Sequence, residues 1–563
     1  MSQVQTLFLE AQLISAISVV PPREDTNTSP PLDHQRHQEA QDASIGGELG
    51  TAPSQLVFEA ATVAQVTQTR KLSIIVLLVM ANVVQMTVNF AGVAGGSTLV
   101  DAMGAELAYG SWIAASYALT QGTFVLPSGR LGDVYGYRLL VLLGGSWLSV
   151  CTLACGFCSN IFAFLTLRAL SGLGGAFIMP NAVAMISSTI PPGRARNLSL
   201  GIFGASAPIG GYLGALFLGA FLEKTEYKWF FVFLSFMGFA VFLSLGILSP
   251  SEKPVDRGGK IDYIGSALGT SSLIIFNFVW NQAPRVGWST PYEIVLLILS
   301  MVLFGAFIIW EKEYTAFPMM PLDIFKAPSF AVLLIVVLFN YMAVGTLIWY
   351  QVLWLQTVWH WSPLKFAVGW TPFVVCAVGA TYLAAWMIPR MAAQWILAIG
   401  TITILISNAL MATVPLHQSY WAQIFPSVVL FSFCPDLVYT AGQIIASNSV
   451  RRNQQGIAGS LIGTLNLYGN SLGLGFASTI EIQIAQRSGS AIAGYRAALY
   501  FGVAISAVAL VLDIIFVRRV KDDHEGWREE DRELSDQFEL TERGETTGVY
   551  RRNAVETTQH SSS

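Results

Sequence analysis

Charged residues are scarce in this sequence: Asp, Glu, Lys and Arg make up 12% of its 563 residues, whereas 53% are hydrophobic. A soluble globular domain carries about 25% charged residues, so this chain cannot build a water-facing surface of ordinary polarity. A surface that faces lipid needs no charge, and the shortage therefore indicates a membrane protein. The formal net charge of −4 and the lack of a basic domain give no support to a nucleic-acid partner.

Groups that catalyse reactions or bind metals are also few. The sequence has six histidines and contains no H-E-x-x-H motif, Walker loop or hydrolytic triad. Among its five cysteines, Cys151, Cys155 and Cys158 recur at helical spacing, but no histidine is near them, so packed helix residues explain them better than a metal site. We therefore expect no enzymatic activity, no metal, no cofactor and no ATP-driven pump.

The two ends of the chain lack long apolar runs. Residues 1–69 do not show the basic start and apolar core of a signal peptide. Their proline-containing, polar composition predicts a disordered tail, as does the composition of residues 519–563. We expect both tails in the cytoplasm.

Between the tails lie fourteen apolar runs, each long enough for a helix of ~20 residues across a bilayer. We predict an all-α polytopic membrane protein with a six-helix bundle at 70–250, a linker with two extra helices at 251–327 and a second six-helix bundle at 328–518. With the N-terminus inside, loops on that side carry sixteen Lys and Arg, and the opposite loops carry six. Because cytoplasmic loops hold the excess of basic residues, this bias supports the helix count.

The segment between predicted helices 2 and 3 reads Gly129-Arg-Leu-Gly-Asp-Val-Tyr-Gly-Tyr-Arg138. Its glycines permit a tight reversal and a close approach of the two helices. Asp133 stands just before helix 3, where the positive end of the helix dipole favours a carboxylate. Arg130 and Arg138 supply cationic partners at the membrane face. The alternative is a positively charged turn that only sets topology.

Helix 4 contains Arg168 within an apolar run, followed by small residues that allow close packing. An arginine inside a spanning helix costs at least ~2.5 kcal/mol on insertion scales, so we expect Arg168 to face the bundle interior and to have a partner. The alternative is a structural arginine that binds carbonyls at a helix end.

In helix 5, Gly204, Pro208 and Gly211 share one face, which predicts tight helix packing and a kink at the proline. Gly210 and Gly214 form a separate G-x-x-x-G pair on the same helix. A purely structural glycine face is the competing interpretation of both groups.

Amide side chains recur inside the predicted helices. Asn82, Gln85 and Asn89 share one face of helix 1, where we expect a wet cavity or a polar interface. Four further amides are candidates for lining a substrate cavity: Gln121, Asn340, Gln443 and Asn466.

Carboxylates within the apolar runs are fewer. Asp436 in helix 12, which we expect toward the cytoplasmic third of the helix by residue count, is the candidate for proton exchange near neutral pH, because it is removed from water. Its alternative role is a gate contact or an ion pair with Arg451 or Arg452. The other carboxylates fall near predicted helix ends, where we expect the membrane interface: Glu223, Glu293, Glu481 and Asp513.

The loop between helices 2 and 3 resembles the hallmark loop G-x-L-a-D-x-x-G-x-[RK] of the major facilitator superfamily. Gly129, Leu131, Asp133, Gly136 and Arg138 occupy its fixed positions. The resemblance implies that Asp133, together with Arg130 and Arg138, bonds the cytoplasmic helix ends and holds the inner gate shut in the outward-open state.

Three other segments are similar to patterns of this family. The run from Arg168 resembles R-x-x-q-G-x-g-a-A, with Ser171 in place of the usual Gln, and implies a role of the arginine in proton coupling. Helix 5 resembles the antiporter signature G-P-x-x-G-G, although Ala207 replaces its first Gly and Tyr212 its last. Helix 1 resembles l-D-x-T-v-x-n, but Gln85 replaces the Asp and cannot titrate.

The chain most resembles fungal fourteen-helix drug:proton antiporters of the aminotriazole-resistance type. The resemblance implies two six-helix halves that rock about a central site of helices 1, 4, 9 and 12, and proton-driven export of a small molecule by a monomer. It also implies the plasma membrane, with the vacuolar membrane as the alternative. Two other functions stay open: a proton symporter or facilitator that imports a nutrient, and a polytopic membrane enzyme or receptor.

Overall fold

The computed structural model describes most of the chain between the two tails. The described residues are 68–190, 194–250, 254–315, 317–327, 329–450 and 454–517. The disorder predicted for 1–69 and 519–563 therefore concerns segments that, except for Gln68 and Thr69, lie outside the described residues.

Fourteen long helices account for the described part of the chain, and the expected all-helical membrane fold is confirmed. Twelve are long and apolar enough to cross a membrane by length and composition. The other two, α2 and α13, have 26 and 34 residues and are less apolar, but they pack among the rest. In chain order the helices are α1 (Gln68–Ala102), α2 (Gly110–Tyr135), α3 (Tyr137–Gly156), α4 (Ile161–Thr189), α5 (Arg194–Lys224), α6 (Tyr227–Leu248), α7 (Tyr263–Val286), α8 (Pro291–Tyr314), α9 (Phe330–Val358), α10 (Pro363–Met387), α11 (Ala393–Ala412), α12 (Ile424–Ser449), α13 (Gln455–Ser488) and α14 (Ala491–Phe516).

Local sequence explains several helix boundaries. The Asn160 side chain accepts hydrogen bonds from the first free N–H groups of α4, and the Asp262 and Ser362 side chains do the same for α7 and α10. Gly136 separates α2 from α3 with a φ of 101°, a conformation that a side chain disfavours. This glycine allows the chain to reverse between two helices that are adjacent in sequence.

The helices form two halves, α1–α6 and α9–α14, that meet along two pairs. Helix α2 packs against α13, and α5 packs against α10. The inserted helix α7 lies against both α2 and α13, whereas α8 packs mainly on α7. The inserted pair therefore sits at the seam between the halves.

Helix α5 packs on α1 through the G-x-x-x-G pair. A Cβ atom at Gly210 or Gly214 would come within 2.6 Å of a carbonyl oxygen of α1, so only glycine permits this approach. A Cβ at Gly211 would lie 3.0 Å from Phe90, whereas nothing lies within 4 Å of that position at Gly204. Of the two glycine groups noted in this helix, Gly210 and Gly214 therefore make the closest contact with α1, while Gly211 lies near α1 and Gly204 does not. Helix α5 continues through Pro208 without a break.

The outer ends of the two halves are closed against each other. The Ser97 hydroxyl of α1 donates to Gln356 Oε1 of α9 at 2.5 Å, and Gln356 Nε2 donates to the Ala94 carbonyl at 2.8 Å. Nearby, a Cβ at Gly219 of α5 would lie 2.7 Å from the backbone of Leu364 in α10. At the other ends of α5 and α10, a Cβ at Gly201 or Gly379 would meet no atom within 4 Å, whereas α2 and α13 stay in contact there, with the Gly129 Cβ position 3.6 Å from Ser460 Oγ. On the topology that the loop charges predict, the closed side is the outer one, and this outer-closed arrangement is termed inward-open here.

Candidate functional site

Arg168 of α4 lies inside the first half, with 1% of its surface exposed. Its guanidinium donates to the carbonyl of Ile113 in α2 at 2.9 Å and to those of Val88 and Asn89 in α1 at 3.2 and 3.3 Å. The Tyr117 ring lies 5.9 Å from the guanidinium carbon. None of the ion pairs found among the described residues involves Arg168. The cation is therefore balanced by backbone dipoles rather than by a carboxylate.

Gly92 of α1 makes room for this arginine. A Cβ at that position would lie 2.0 Å from Nη2 of Arg168 and 2.8 Å from the Ile113 carbonyl oxygen. The guanidinium fills the place where any other residue would carry a side chain. Nothing in the sequence motifs marks Gly92, because its role depends on an arginine 76 positions away.

Asn82 and Gln85 lie at the interface of α1 with α5. Asn82 Nδ2 donates to the Phe203 carbonyl at 3.1 Å and to the Ser206 hydroxyl at 2.8 Å, and Gln85 Nε2 donates to Asn82 Oδ1 at 2.6 Å. Both amides are buried, so the structure places them in a polar helix interface and not on an open cavity.

Several buried amide oxygens and nitrogens have no partner among the described residues. Among the amides predicted to line a cavity, they are Gln85 Oε1, Asn89 Oδ1, Asn340 Oδ1 and both polar atoms of Gln121. A buried polar group without a partner costs about 1–3 kcal/mol, so these atoms are places where water or a polar substrate can bind. Asn89 is the one closest to Arg168, because its own carbonyl receives the guanidinium.

Asp436 stands at a break in α12. The helix consists of Ile424–Phe431 and Cys434–Ser449, and Asp436 lies in the first turn of the second segment, directly after Pro435. The Tyr341 hydroxyl of α9 donates to the Pro435 carbonyl at 3.0 Å, and Thr381 of α10 hydrogen-bonds the half-buried carboxylate. Ser432 and Phe433, between the two segments, keep the right-handed helical conformation. The break is therefore a local interruption at Pro435, which cannot donate a helical hydrogen bond, and Asp436 places a polar group beside it in the middle of a spanning helix.

The observed bounds of α12 correct the depth expected for Asp436. The residue lies 12 positions after Ile424 and 13 before Ser449, hence halfway along the helix and not in its cytoplasmic third. Its suggested partners Arg451 and Arg452 lie outside the described residues.

Gln443 and Asn466 occupy the neighbourhood of α12 and α13. Gln443 Nε2 donates to the Gly459 carbonyl at 2.9 Å and so links the two helices. Half-buried Asn466 accepts a hydrogen bond from Asn470 through its carbonyl at 2.7 Å. The structure does not join these amides to Arg168, and the two halves keep separate polar clusters.

The expected loop Gly129–Arg138, still called the α2–α3 loop here, is helical up to Tyr135, and Asp133 lies in the last turn of α2. Its carboxylate accepts a hydrogen bond from the Tyr137 hydroxyl at the start of α3 at 2.7 Å. Arg138 donates to the Ser249 hydroxyl at 2.7 Å and to the Gly246 carbonyl at 2.6 Å, so it ties α3 to the end of α6. Arg138 therefore stabilises the first half from within. Arg130 points instead to the linker that precedes α7.

Three of the four carboxylates expected at the membrane interface are enclosed by protein: Glu293, with 1% of its surface exposed, Glu481 and Asp513. Glu481 Oε2 accepts a hydrogen bond from the buried Tyr350 hydroxyl at 2.6 Å. Asp513 has no exposed surface, and both its carboxylate oxygens lack a partner among the described residues. Glu481 and Asp513 lie near the ends of their helices, as expected, but neighbouring helices cover them: Tyr350 of α9 reaches Glu481, and Gln394 Nε2 of α11 donates to the Asp513 carbonyl at 3.2 Å.

The site contains a fixed cation, Arg168, in the first half and a carboxylate, Asp436, at the break of α12 in the second half. No group of three His, Cys, Asp or Glu that could hold a metal occurs in the part of the chain that the structure describes. Such a site can bind, orient and exchange protons with a small molecule, and it contains no arrangement for covalent catalysis.

The fold and the site define a secondary transporter, and comparison with known proteins identifies its family. The family model described as Major Facilitator Superfamily matches residues 77–335 and 333–555. The chain belongs to the major facilitator superfamily, and it is a transporter rather than an enzyme.

The relatives include proteins named as a resistance protein, an efflux pump and an ammonium transporter. The aminotriazole resistance protein of Saccharomyces cerevisiae is 31% identical over 74% of this chain and 79% of its own length. The efflux pump terJ of Aspergillus terreus is 31% identical over 72% of this chain and 80% of its own length. The low affinity ammonium transporter of Saccharomyces cerevisiae is 32% identical over 71% of this chain and 79% of its own length.

Solved structures show the same fold at low sequence identity. A bacterial homologue of the human lysosomal transporter Spinster, inward-facing and unoccupied, has a TM-score of 0.57 and 16% identity, over 81% of this chain and all of that one. The peptide transporter POT in complex with sulfate has a TM-score of 0.57 and 15% identity, over 79% of this chain and 93% of that one.

The contact between Gly92 and Arg168 generates a prediction on stability. Gly92→Ala should destabilise the protein by about 1–3 kcal/mol, because the new methyl group forces the guanidinium off its carbonyls. Thermal unfolding of the purified protein in detergent measures the loss. Gly305→Ala in α8 is the matched control, since a Cβ there meets nothing within 4 Å and the unfolding temperature should not fall. Equal unfolding temperatures for the two variants would contradict the described placement of Arg168.

Proposed function

We propose that this transporter exports small organic toxic compounds or specialised metabolites by proton-coupled alternating access. The observation that carries the proposal is Asp436, a half-buried carboxylate at the break of α12 in the middle of the membrane. Interrupted helices in transporters typically form the substrate and ion sites. An ionisable residue inside a membrane span is costly unless it serves such a function.

In this mechanism the proton acts by removing a charge. An ionised Asp436 keeps water around the break of α12, which favours a state in which the cavity is open. Protonation lowers the free energy needed to enclose the carboxyl group when the halves close around it. Proton binding from outside and release inside can then drive export, since the same group is exposed to each side in turn.

Arg168 gives the first half a permanent positive charge beside α1. It binds the carbonyls of Val88 and Asn89 and thereby fixes the position of α1 relative to α2 and α4. Because Arg168 and Asp436 are not in contact, coupling passes through the position of the helices and not through a direct ion pair.

Export is favoured as the direction because relatives named efflux pump and aminotriazole resistance protein match at 31% identity. Import of a small nutrient is the second candidate, since a relative named low affinity ammonium transporter matches equally well, at 32% identity. Export from the cell places the protein in the plasma membrane, and its central site within one chain is consistent with a monomer. Cell fractionation and the mass of the detergent complex check these two statements.

Transport by purified protein in sealed vesicles separates the two directions. A chemical panel is first screened for compounds to which expression of the chain confers resistance. With a resistance-conferring compound, an antiporter moves protons opposite to the compound, which an internal pH dye reports. Movement of protons and compound in the same direction would contradict the export proposal and would support the import of a nutrient.

Asp436→Asn should abolish proton-linked transport while the protein stays folded, because the amide cannot exchange a proton and is close in size to the carboxyl group. Proton flux per compound transported, measured in the same vesicles, is the readout. Glu481→Gln is the matched control, a buried carboxylate of the same half away from the break, and it should retain proton flux. Loss of proton flux in Glu481→Gln and its retention in Asp436→Asn would transfer the coupling role to Glu481.

Arg168→Lys should lower the transport rate at least tenfold, since one ammonium group cannot reach carbonyls on both α1 and α2 as the guanidinium does. Initial rates across a range of external pH distinguish coupling from packing. An unchanged pH profile with a rate equal to that of the parent would show that only a positive charge is needed here.

A further inference from the structure

The inserted helix α7 is anchored to the second half through buried polar contacts with α13. The Ser471 hydroxyl donates to Asn277 Oδ1 at 2.9 Å, and Asn281 Nδ2 donates to the Ser471 carbonyl at 3.3 Å. One turn earlier, the Tyr468 hydroxyl donates to the Leu273 carbonyl at 3.0 Å. These polar groups are buried in a membrane-spanning interface, where separating them would leave each without a partner.

Packing reinforces the same anchor. The rings of Trp280 in α7 and Phe476 in α13 are stacked with their centroids 3.6 Å apart. A Cβ at Gly475 would come within 2.8 Å of the Trp280 backbone, so the two helices touch directly. Helix α7 also touches the first half at its outer end, where Trp112 Nε1 of α2 donates to Gln282 Oε1 at 3.1 Å. Its contacts are nevertheless more extensive with α13, so the segment just before α7 continues into a helix held mainly by the second half.

The segment just before α7 contacts the α2–α3 loop of the first half. The Asp256 carboxylate pairs with Arg130 at 2.8 Å, and the Asp256 N–H donates to the Asp133 carbonyl at 3.0 Å. Arg130 also donates to the Lys260 carbonyl at 3.3 Å. At the start of α7, the hydroxyls of Tyr135 and Tyr263 are 2.8 Å apart. Four contacts thus join residues 130–135 to residues 256–263.

We propose that residues 254–263 act as a strap that stabilises the inward-open state by holding the α2–α3 loop through Arg130 and Asp133. The proposal rests on the alternating access of the proposed function. It assigns gating roles to Asp256 and Tyr263, which lie outside every motif noted in the sequence.

The strap has this effect because its two ends belong to different halves. One end is the loop between α2 and α3, and the other continues into α7, which is fixed to α13. When the halves rock and the cytoplasmic side closes, the α2–α3 loop changes its position relative to α13, and contacts that fit the inward-open geometry are lost. The strap therefore competes with any contact that the same loop makes in the outward-open state.

The solvent exposure of the pair between Arg130 and Asp256 sets how far its removal should shift the two states. The side chains of Arg130 and Asp256 are 36% and 44% exposed. Exposed pairs contribute little, so removing one should shift the ratio of outward-open to inward-open protein about 1.5- to 5-fold. A shift of this size needs a direct measurement of the two populations.

The experiment measures distances at the outer side of the full-length protein in lipid nanodiscs. Paramagnetic labels on p-acetylphenylalanine at Leu107 and Leu416, exposed outer positions of the two halves, leave the native cysteines untouched. A short distance reports the closed outer side described above, and a longer distance reports outward-open protein. No substrate or proton gradient is required, so the result does not depend on whether Asp436 carries the proton.

Asp256→Asn should raise the ratio of the long to the short distance about 1.5- to 5-fold. Arg130→Gln should give the same shift, and the double variant should show no more than the larger single effect, because both changes remove the same pair. Tyr263→Phe should shift the ratio in the same direction. Asp323→Asn is the matched control: it breaks an exposed pair with Lys326, at 2.6 Å, in the loop after α8, and should leave the ratio unchanged.

The strap is refuted if Asp256→Asn behaves like Asp323→Asn, or if the effects of Asp256→Asn and Arg130→Gln add in the double variant. A single short distance in every variant, even at high and low pH, would refute both the strap and alternating access itself. A changed ratio in Asp256→Asn together with unaltered proton flux in Asp436→Asn would support the strap while rejecting the coupling role of Asp436.

Discussion

The cost of a polar group without a partner inside a lipid bilayer governs this structure. It forces the described backbone into helices, which satisfy their own N–H and C=O groups. It also turns polar side chains inward, where Asn82 and Gln85 bond each other and α5. The same constraint acts on Arg168, whose guanidinium collects three carbonyl groups from two neighbouring helices. Polar groups without a full set of partners remain at several amide oxygens and at the break in α12, and these are the places to which we assign a function.

Much of the fold could be predicted from the sequence because helix spans and loop charges are local properties. The apolar runs and the bias of Lys and Arg predict the order of the helices, and the glycine-rich loop around Asp133 predicts the family. The packing between helices was less accessible. Side chains of the neighbouring helices α9 and α11 cover Glu481 and Asp513, which the sequence suggests are interfacial.

The site was less predictable because its partners are distant in sequence or belong to the backbone. The motif around Arg168 predicts a buried cation, but no motif can show that it binds carbonyls or that Gly92 leaves space for it. Of the two glycine groups noted in helix 5, the pair Gly210 and Gly214 makes the closest contact with α1, whereas Gly204 has no atom near its Cβ position. The sequence offered both groups, and only the position of α1 decides between them. Likewise, the pairing of Asp256 with Arg130 joins residues 126 positions apart.

The two sides of the membrane are closed or held by contacts of different physical kinds. On the outer side, Gln356 bonds a hydroxyl and a carbonyl, and Trp349 packs on Gly96, so these contacts carry no net charge. On the inner side, the contact between Arg130 and Asp256 is ionic and partly exposed. Dissolved salt weakens exposed ion pairs but leaves neutral packing almost untouched. Raising the ionic strength should therefore weaken the contact between Arg130 and Asp256 while it leaves the contacts of Gln356 and Trp349 in place.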